Sequence, residues 1–417
     1  MAVGKKTLGD TLGIYVHIPY CIKKCPYCDF NSYGIGRAQA GSNPPLMPEA
    51  RYVAALLQEL RTLAAQPQWK QRTAHSIFFG GGTPSLFSPV SIEQIINEAT
   101  HLFKVTEDLE ITLEANPGTL QETLALDRLK GFKLAGVNRL SLGVQSFNQE
   151  KLRFLGRLHS AEETNQAIET VRAAGFTNLN LDLMFGTESE TLEGWQQDIQ
   201  KALSYSPEHI SAYTLMIEQG TEFHRLAAKG ELPLPEEELV TEMFIATREM
   251  LESSGYSAYE VSNFSTAGRE CRHNLGYWFG EDYLSIGAGA YGYWRSRESA
   301  ESMTGLRYMN IPGPEDYIKR VESTGTGAHK DEKIPTSAAE TEFLLLRLRL
   351  AEGLPLELYQ ALFGVSFLER FAKPLEKIQQ DSPDGPAFTI EAGRIKLTRE
   401  GSFIANEIIS ELLASAT

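Results

Sequence analysis

Three of the chain's four cysteines, Cys21, Cys25 and Cys28, stand inside eight residues, in the segment Tyr15-Val-His-Ile-Pro-Tyr-Cys-Ile-Lys-Lys-Cys-Pro-Tyr-Cys-Asp-Phe30. Thiolates are nucleophiles and soft metal ligands. In a reducing compartment, closely spaced thiols are more often metal ligands or redox pairs than structural disulfides. The spacing here is C-x3-C-x2-C. A tetrahedral zinc site would want a fourth Cys or His close by, and none is at hand, because His17 falls within a stretch that reads as strand. A four-iron cluster on three thiolates would instead leave one iron without a protein ligand and open to a small molecule. Cys271 lies far along the chain and reads as an inert buried thiol.

The elements that must position these cysteines follow from hydrophobic patterning. Apolar, β-branched stretches at Ile14–Ile18, Ser76–Phe79, Leu109–Glu114, Asn138–Val144, Thr177–Met184 and His209–Leu215 read as buried parallel strands. Helix-period segments lie between them. The clearest is Glu49–Ala64, where Tyr52, Val53, Leu56, Leu57, Leu60 and Leu63 share one face. The strand ends at Gly82, Glu114, Gln145, Asp182 and Leu215 are 31 to 37 residues apart, the length of one βαβ repeat. Six such units predict an incomplete barrel, open on one side, with ligand chemistry at the carboxyl ends of its strands. The Gly/Pro-rich Gly34–Pro48 reads as a surface loop.

Beyond about Thr221 the alternation stops. A helix is predicted over Val240–Ser254, an irregular region follows, and then come helices at Thr336–Leu350 and Pro355–Leu362, a hairpin over Ala387–Thr398 turning at Ala392-Gly393, and a helix at Ser402–Ala414. This resembles a small winged-helix-like module. The expected division is a tail at 1–13, a core at 14–235 and a C-terminal region at 236–417. From Lys330 onward ten basic residues face fourteen acidic ones, which argues against DNA binding.

With 417 residues, a formal net charge of −15 and 42% hydrophobic residues, the chain is neither disordered nor fibrous. The negative excess opposes nucleic-acid partners, which are held mainly by Lys and Arg. No apolar run approaches a membrane span, and no signal-type core follows the first residues. A soluble cytoplasmic protein is expected.

With Tyr27 directly before the last Cys, the cysteine spacing resembles the signature of radical S-adenosylmethionine (SAM) proteins, and the resemblance spans nearly the whole chain. It implies an α/β fold, an open (β/α)6 partial TIM barrel of radical SAM type with a mainly helical, winged-helix-like C-terminal region. It also implies a [4Fe–4S] cluster on Cys21, Cys25 and Cys28, with the amino and carboxylate groups of SAM on the open iron. The loop Phe-Phe-Gly-Gly81-Gly82-Thr83-Pro would engage the methionine moiety. Glu114, Gln145, Arg157 and Asp182 would contact SAM, while Tyr15 and Tyr27 would flank the adenine and the cluster. Outside the resemblance, the glycine run reads as a tight turn, Glu114 as a helix-entry carboxylate and Arg157 as a solvated helix charge, since structural polar groups also end strands.

Tyr-Val-His-Ile-Pro before Cys21, Gly-Gly-Gly-Thr-Pro and Gly-Val-Gln-Ser-Phe resemble the coproporphyrinogen-oxidase-like branch of that superfamily. Its oxygen-independent coproporphyrinogen III dehydrogenases carry another Cys two residues after the third ligand and a long N-terminal extension. Phe30 stands at that place here, and 14 residues precede Tyr15. Its HemW-type heme chaperones carry His-Asn-x-x-Tyr-Trp, matched by His273-Asn-Leu-Gly-Tyr277-Trp278. The resemblance to them implies a chain that binds heme and transfers it to an unidentified acceptor protein. A membrane-associated acceptor is compatible with a chain that lacks a span. His273 would ligate heme iron while Tyr277 and Trp278 cover the macrocycle, and Cys271 stays open as an alternative thiolate. The alternative function is oxidative decarboxylation of coproporphyrinogen III by a radical formed when the cluster reduces SAM.

Overall fold

Strand β1 (Thr11–Ile18) buries Leu12, Ile14, Val16 and Ile18 completely, as a central strand covered on both faces must. The computed structural model describes residues 10–36, 47–120, 124–295, 305–382 and 385–414. Most of the expected N-terminal tail and of the 34–48 loop lies outside the described residues. After β1 come α1 (Glu49–Ala64), β2 (Thr73–Gly81), α2 (Pro89–Leu102), β3 (Lys104–Ala115), α3 (Ala125–Leu134), β4 (Arg139–Gln145), α4 (Ala161–Ala173), β5 (Leu179–Phe185), α5 (Leu192–Ser204) and β6 (His209–Thr214). β1 through β6 pair in sequence order, all parallel. These are the six expected strands, each within a few residues of its expected bounds. The helix Glu49–Ala64 has its expected ends, with Tyr52, Val53, Leu56, Leu60 and Leu63 buried and Leu57 half-buried.

The region expected to be irregular is where the structure departs from the sequence reading. After α6 (Glu237–Ser253) come the short strands β7 (Ser257–Ala258) and β8 (Asn263–Ser265); β8 pairs antiparallel with β6, and β7 pairs antiparallel with β8. The chain then passes through α7 (Arg272–Trp278) and crosses to the far side of β1. There β9 (Tyr283–Ile286) pairs parallel with it, so β1 has parallel neighbours on both edges. β10 (Tyr291–Arg295), β11 (Gly305–Asn310) and, past α8 (Pro314–Thr324), β12 (Ala328–Ile334) continue antiparallel. Among the described residues the sheet therefore has twelve strands, in the order β12-β11-β10-β9-β1-β2-β3-β4-β5-β6-β8-β7. Its two ends do not pair, and the barrel stays open.

The apolar packing divides the chain beyond Val321. One apolar core runs from Leu12 to Val321, and a separate one runs from Phe343 to Leu412. That second core packs α9 (Thr336–Arg347), α10 (Leu356–Phe363) and α11 (Ala405–Ala414) around the strands β13 (Leu354–Pro355), β14 (Phe388–Glu391) and β15 (Arg394–Leu397). The β14–β15 turn puts Ala392 at φ 49° and Gly393 at φ 72°, the paired left-handed geometry of a tight hairpin. The expected last helix starts later than Ser402, because a separate turn at Arg399–Phe403 precedes α11.

Candidate functional site

The carboxyl ends of β2 to β6 surround a cavity of about 380 Å³, and the cysteine loop forms part of its wall. Cys21, Cys25, Cys28, Tyr27, Gly81, Gly82, Thr83, Glu114, Gln145, Arg157 and Asp182 all line it. Parallel register explains the convergence: Glu114 lies opposite Ser141 of β4, and Asp182 opposite Ser211 of β6, so equivalent strand ends present their polar groups to one space.

The loop after β2 needs its glycines. At Gly81, φ is +110° and a Cβ would come within 2.4 Å of the His17 ring. At Gly82 a Cβ would lie 2.6 Å from the Tyr20 carbonyl. Side chains there would push the β2 loop off the cysteine loop.

The thiols already have polar neighbours. Thr83 Oγ1 donates to Cys21 Sγ at 3.6 Å, and Cys28 Sγ lies 3.9 Å from Ser32 Oγ. Arg157 Nη1 is 3.6 Å from Cys25 Sγ and 3.5 Å from the Tyr27 hydroxyl. Its Nη2 donates to the Gly143 carbonyl at 2.7 Å and to Asn116 Oδ1. The guanidinium is thus fixed beside the sulfur of Cys25. Among the described residues no three His, Cys, Asp or Glu side chains converge on a single ion. A cluster asks for less convergence, since each thiolate binds a different iron, so the donor set fits a cluster better than a mononuclear site.

The cavity floor holds two carboxyl groups. Burial, and then the charge of Asp182, push Glu114 up to about 8. Glu114 accepts from the Gly81 amide at 3.2 Å. Burial also raises Asp182, against hydrogen bonds from Asn180 at 2.7 Å and Ser141 at 3.1 Å. Two carboxyls held above their ordinary range in one cavity are poised for a ligand bearing donor or cationic groups. Gln145 stands at φ 65° on the rim. The turn after it is anchored by Asp198, which accepts from Ser146 Oγ at 2.6 Å and from the Phe147 amide at 2.7 Å. Lys151 Nζ in turn bonds Asp198 at 3.1 Å and also bonds Glu190.

Four predicted residues are not brought to this cavity. Tyr15, His273, Tyr277 and Trp278 are absent from its lining. His273 is 3% exposed, with Nδ1 2.9 Å from Ser76 Oγ and Nε2 3.0 Å from the Tyr277 hydroxyl. Burial, helped by nearby His75 and Arg139, pushes its imidazole down to about 3. Both ring nitrogens are thus already within hydrogen-bond distance of a hydroxyl. Cys271 is fully buried beside Glu110, its Sγ 3.5 Å from Oε1, and burial pushes the thiol up to about 12, which fits the inert role.

The structure adds residues that the sequence reading passed over. Asn116 donates to Thr83 Oγ1 at 2.9 Å and accepts from Arg157. Its place two residues beyond Glu114 on the same strand end could have flagged it. Tyr213 and Met216 also line the cavity, so β6 contributes Tyr213 rather than only the expected Leu215.

A cysteine loop closing the carboxyl-end cavity of an open parallel barrel is the arrangement of the radical SAM superfamily, whose family model matches residues 15–202; a HemN C-terminal domain model matches residues 338–404. Heme chaperone HemW of Haemophilus influenzae is 36% identical over 407 residues, covering 96% of this chain and 98% of its own. Heme chaperone HemW of Bacillus subtilis is 35% identical over 401 residues, covering 96% and 98%. The chain belongs to the HemW family. The solved coproporphyrinogen III oxidase HemN from Escherichia coli matches with a TM-score of 0.76 over 98% of this chain and 91% of its own, at 21% identity, a likeness of fold.

Proposed function

We propose that this chain binds heme and hands it to an acceptor protein, with a [4Fe–4S] cluster on Cys21, Cys25 and Cys28 and SAM in the adjoining cavity. The observation that carries the reading is the grouping of three thiols with Gly82, Glu114, Gln145, Arg157 and Asp182 around one cavity, in a chain whose full-length relatives are named heme chaperones. A cluster held by three thiolates supplies an iron with an open coordination position. Gly81 and Gly82 let backbone approach a ligand there, and Arg157 balances thiolate charge. Glu114 and Asp182 accept hydrogen bonds from ligand amino or hydroxyl groups.

Apolar side chains are exposed at the cavity mouth: Phe30 is 59% exposed, Met216 68%, and Leu158 and Tyr213 join them. A flat apolar macrocycle gains most of its binding energy by covering such surface. Heme binding at this mouth leaves His273 in its buried place. Phe30, where the dehydrogenases have a further Cys, separates this reading from the enzymatic alternative.

The test is anaerobic purification and reconstitution with iron and sulfide, followed by SAM binding, heme titration and coproporphyrinogen III turnover on one sample. The chaperone reading expects about one heme per chain and no catalytic protoporphyrinogen formation; multiple turnovers would overturn it. Asp182→Ala is expected to weaken SAM binding by about 1 to 3 kcal/mol, and unaltered affinity would remove Asp182 from the site.

A further inference from the structure

The helix carrying His273, Tyr277 and Trp278 is sealed from the cavity, yet contacts lead from it to the cysteine loop. The His273 ring stacks on Phe78 with centroids 5.0 Å apart and on Tyr15 at 6.1 Å. The Tyr15 hydroxyl is 3.0 Å from Nδ1 of His17, two residues along β1. His17 Nε2 is 2.9 Å from the backbone carbonyl of Asn31, three residues past Cys28. A carbonyl only accepts, so Nε2 carries the proton, Nδ1 is the acceptor and the Tyr15 hydroxyl is the donor. The direction of this short chain is thereby set. Asn31 is clamped at its other end, its side-chain amide donating to the carbonyls of Ala288 at 2.9 Å and Pro312 at 3.0 Å. His17 is itself buried and packs against the Gly81 backbone, so it has little freedom to shift alone.

We propose that His273 and Tyr15 are positioning residues for the cysteine loop: the His273 ring orients Tyr15, and Tyr15 holds His17 and through it the Asn31 end of the loop. The His-Asn-x-x-Tyr-Trp motif then acts on the cluster from behind and does not ligate heme iron. This rests on the cluster reading above. Partners one step removed from metal ligands fix ligand orientation, and their loss typically weakens metal retention about 10- to 100-fold.

The experiment uses the full chain, reconstituted anaerobically, as wild type, Tyr15→Phe, Tyr277→Phe and His273→Ala. Iron release to EDTA and the EPR spectrum of the reduced cluster are recorded, and then heme is titrated by its absorption band. Tyr15→Phe keeps the ring and removes only the donor to His17. It is expected to release iron about tenfold faster or more and to shift the EPR signal, with His273→Ala doing the same. Tyr277→Phe keeps His273 packed while removing one of its bonds, and supplies the comparison if His273→Ala does not fold. Wild-type iron retention in Tyr15→Phe overturns the proposal, as does a heme band altered in the His273 or Tyr277 variant but not in Tyr15→Phe. Failure of the wild type to take up any cluster would instead sink the function on which the inference rests.

Discussion

Polar groups at the carboxyl ends of β2 to β6 face open space, whereas those on the helix Arg272–Trp278 face one another. In the first region Glu114 accepts a single backbone hydrogen bond and is held up to about 8, beside three half-buried thiols. In the second, both nitrogens of His273 are bonded, Cys271 lies against Glu110, and Glu110 also receives the amides of Arg272 and His273. Unfilled polar capacity around a cavity is a binding site in waiting, because a ligand supplies what the fold leaves out. A saturated buried network rigidifies what it touches. Two equally legible sequence motifs thus take different places in the molecule.

The comparison breaks most visibly at the thiols. Cys25→Ser is expected to abolish the cluster, with Cys271→Ser retaining it in full, as read by iron and sulfide content. The next effect is on stability. His273→Ala removes a buried ring and leaves Ser76 and Tyr277 without their partner, so a loss of about 2 to 4 kcal/mol in denaturant unfolding is expected. Its pH signature is specific. His17, His159, His209 and His273 are all held neutral by burial, while the unfolded chain takes up protons near 6.5. The stability these neutral histidines contribute is therefore full above about 6.5 and falls as the pH drops toward 3. His273→Ala should lessen that slope by up to about 1.4 kcal/mol per pH unit.

Glu114 has the opposite sign. Its folded value lies above the unfolded 4.5, so the stability its neutral form contributes is full below about 4.5 and is lost as the pH rises to about 8. In cofactor-free protein Glu114→Gln is expected to raise stability by about 1 to 3 kcal/mol at pH 9 and to leave it unchanged near pH 4. No gain at pH 9 would mean that the cavity is better solvated than its geometry indicates. The smallest effect is at the mouth, where Phe30→Ser should weaken heme binding by about 1 kcal/mol while changing the unfolding free energy by less than about 0.5 kcal/mol. A thermal melt beside a heme titration separates the two.

Much of this was written locally in the chain. The six parallel strands follow from apolar runs at βαβ spacing, the helix Glu49–Ala64 from its periodicity, and the cysteine loop from three cysteines inside eight residues. Strand-end residues such as Glu114, Gln145 and Asp182 could be grouped because a parallel sheet must bring equal ends together, but their expected contact with SAM came from the family resemblance. What stayed hidden depends on partners distant in sequence. Glu59 looks like a solvated helix charge, but it is fully buried, accepting from the amides of Gly287 and Gly327 and from the Tyr317 hydroxyl. The strands from Tyr283 to Ile334 are short and partly polar, and only pairing beside β1 makes them a sheet. His273 shows the same limit. Residue types and spacing say that an imidazole stands among aromatics, but its exposure and the occupancy of its two nitrogens depend on Ser76, Phe78 and Tyr15, which folding alone brings to it.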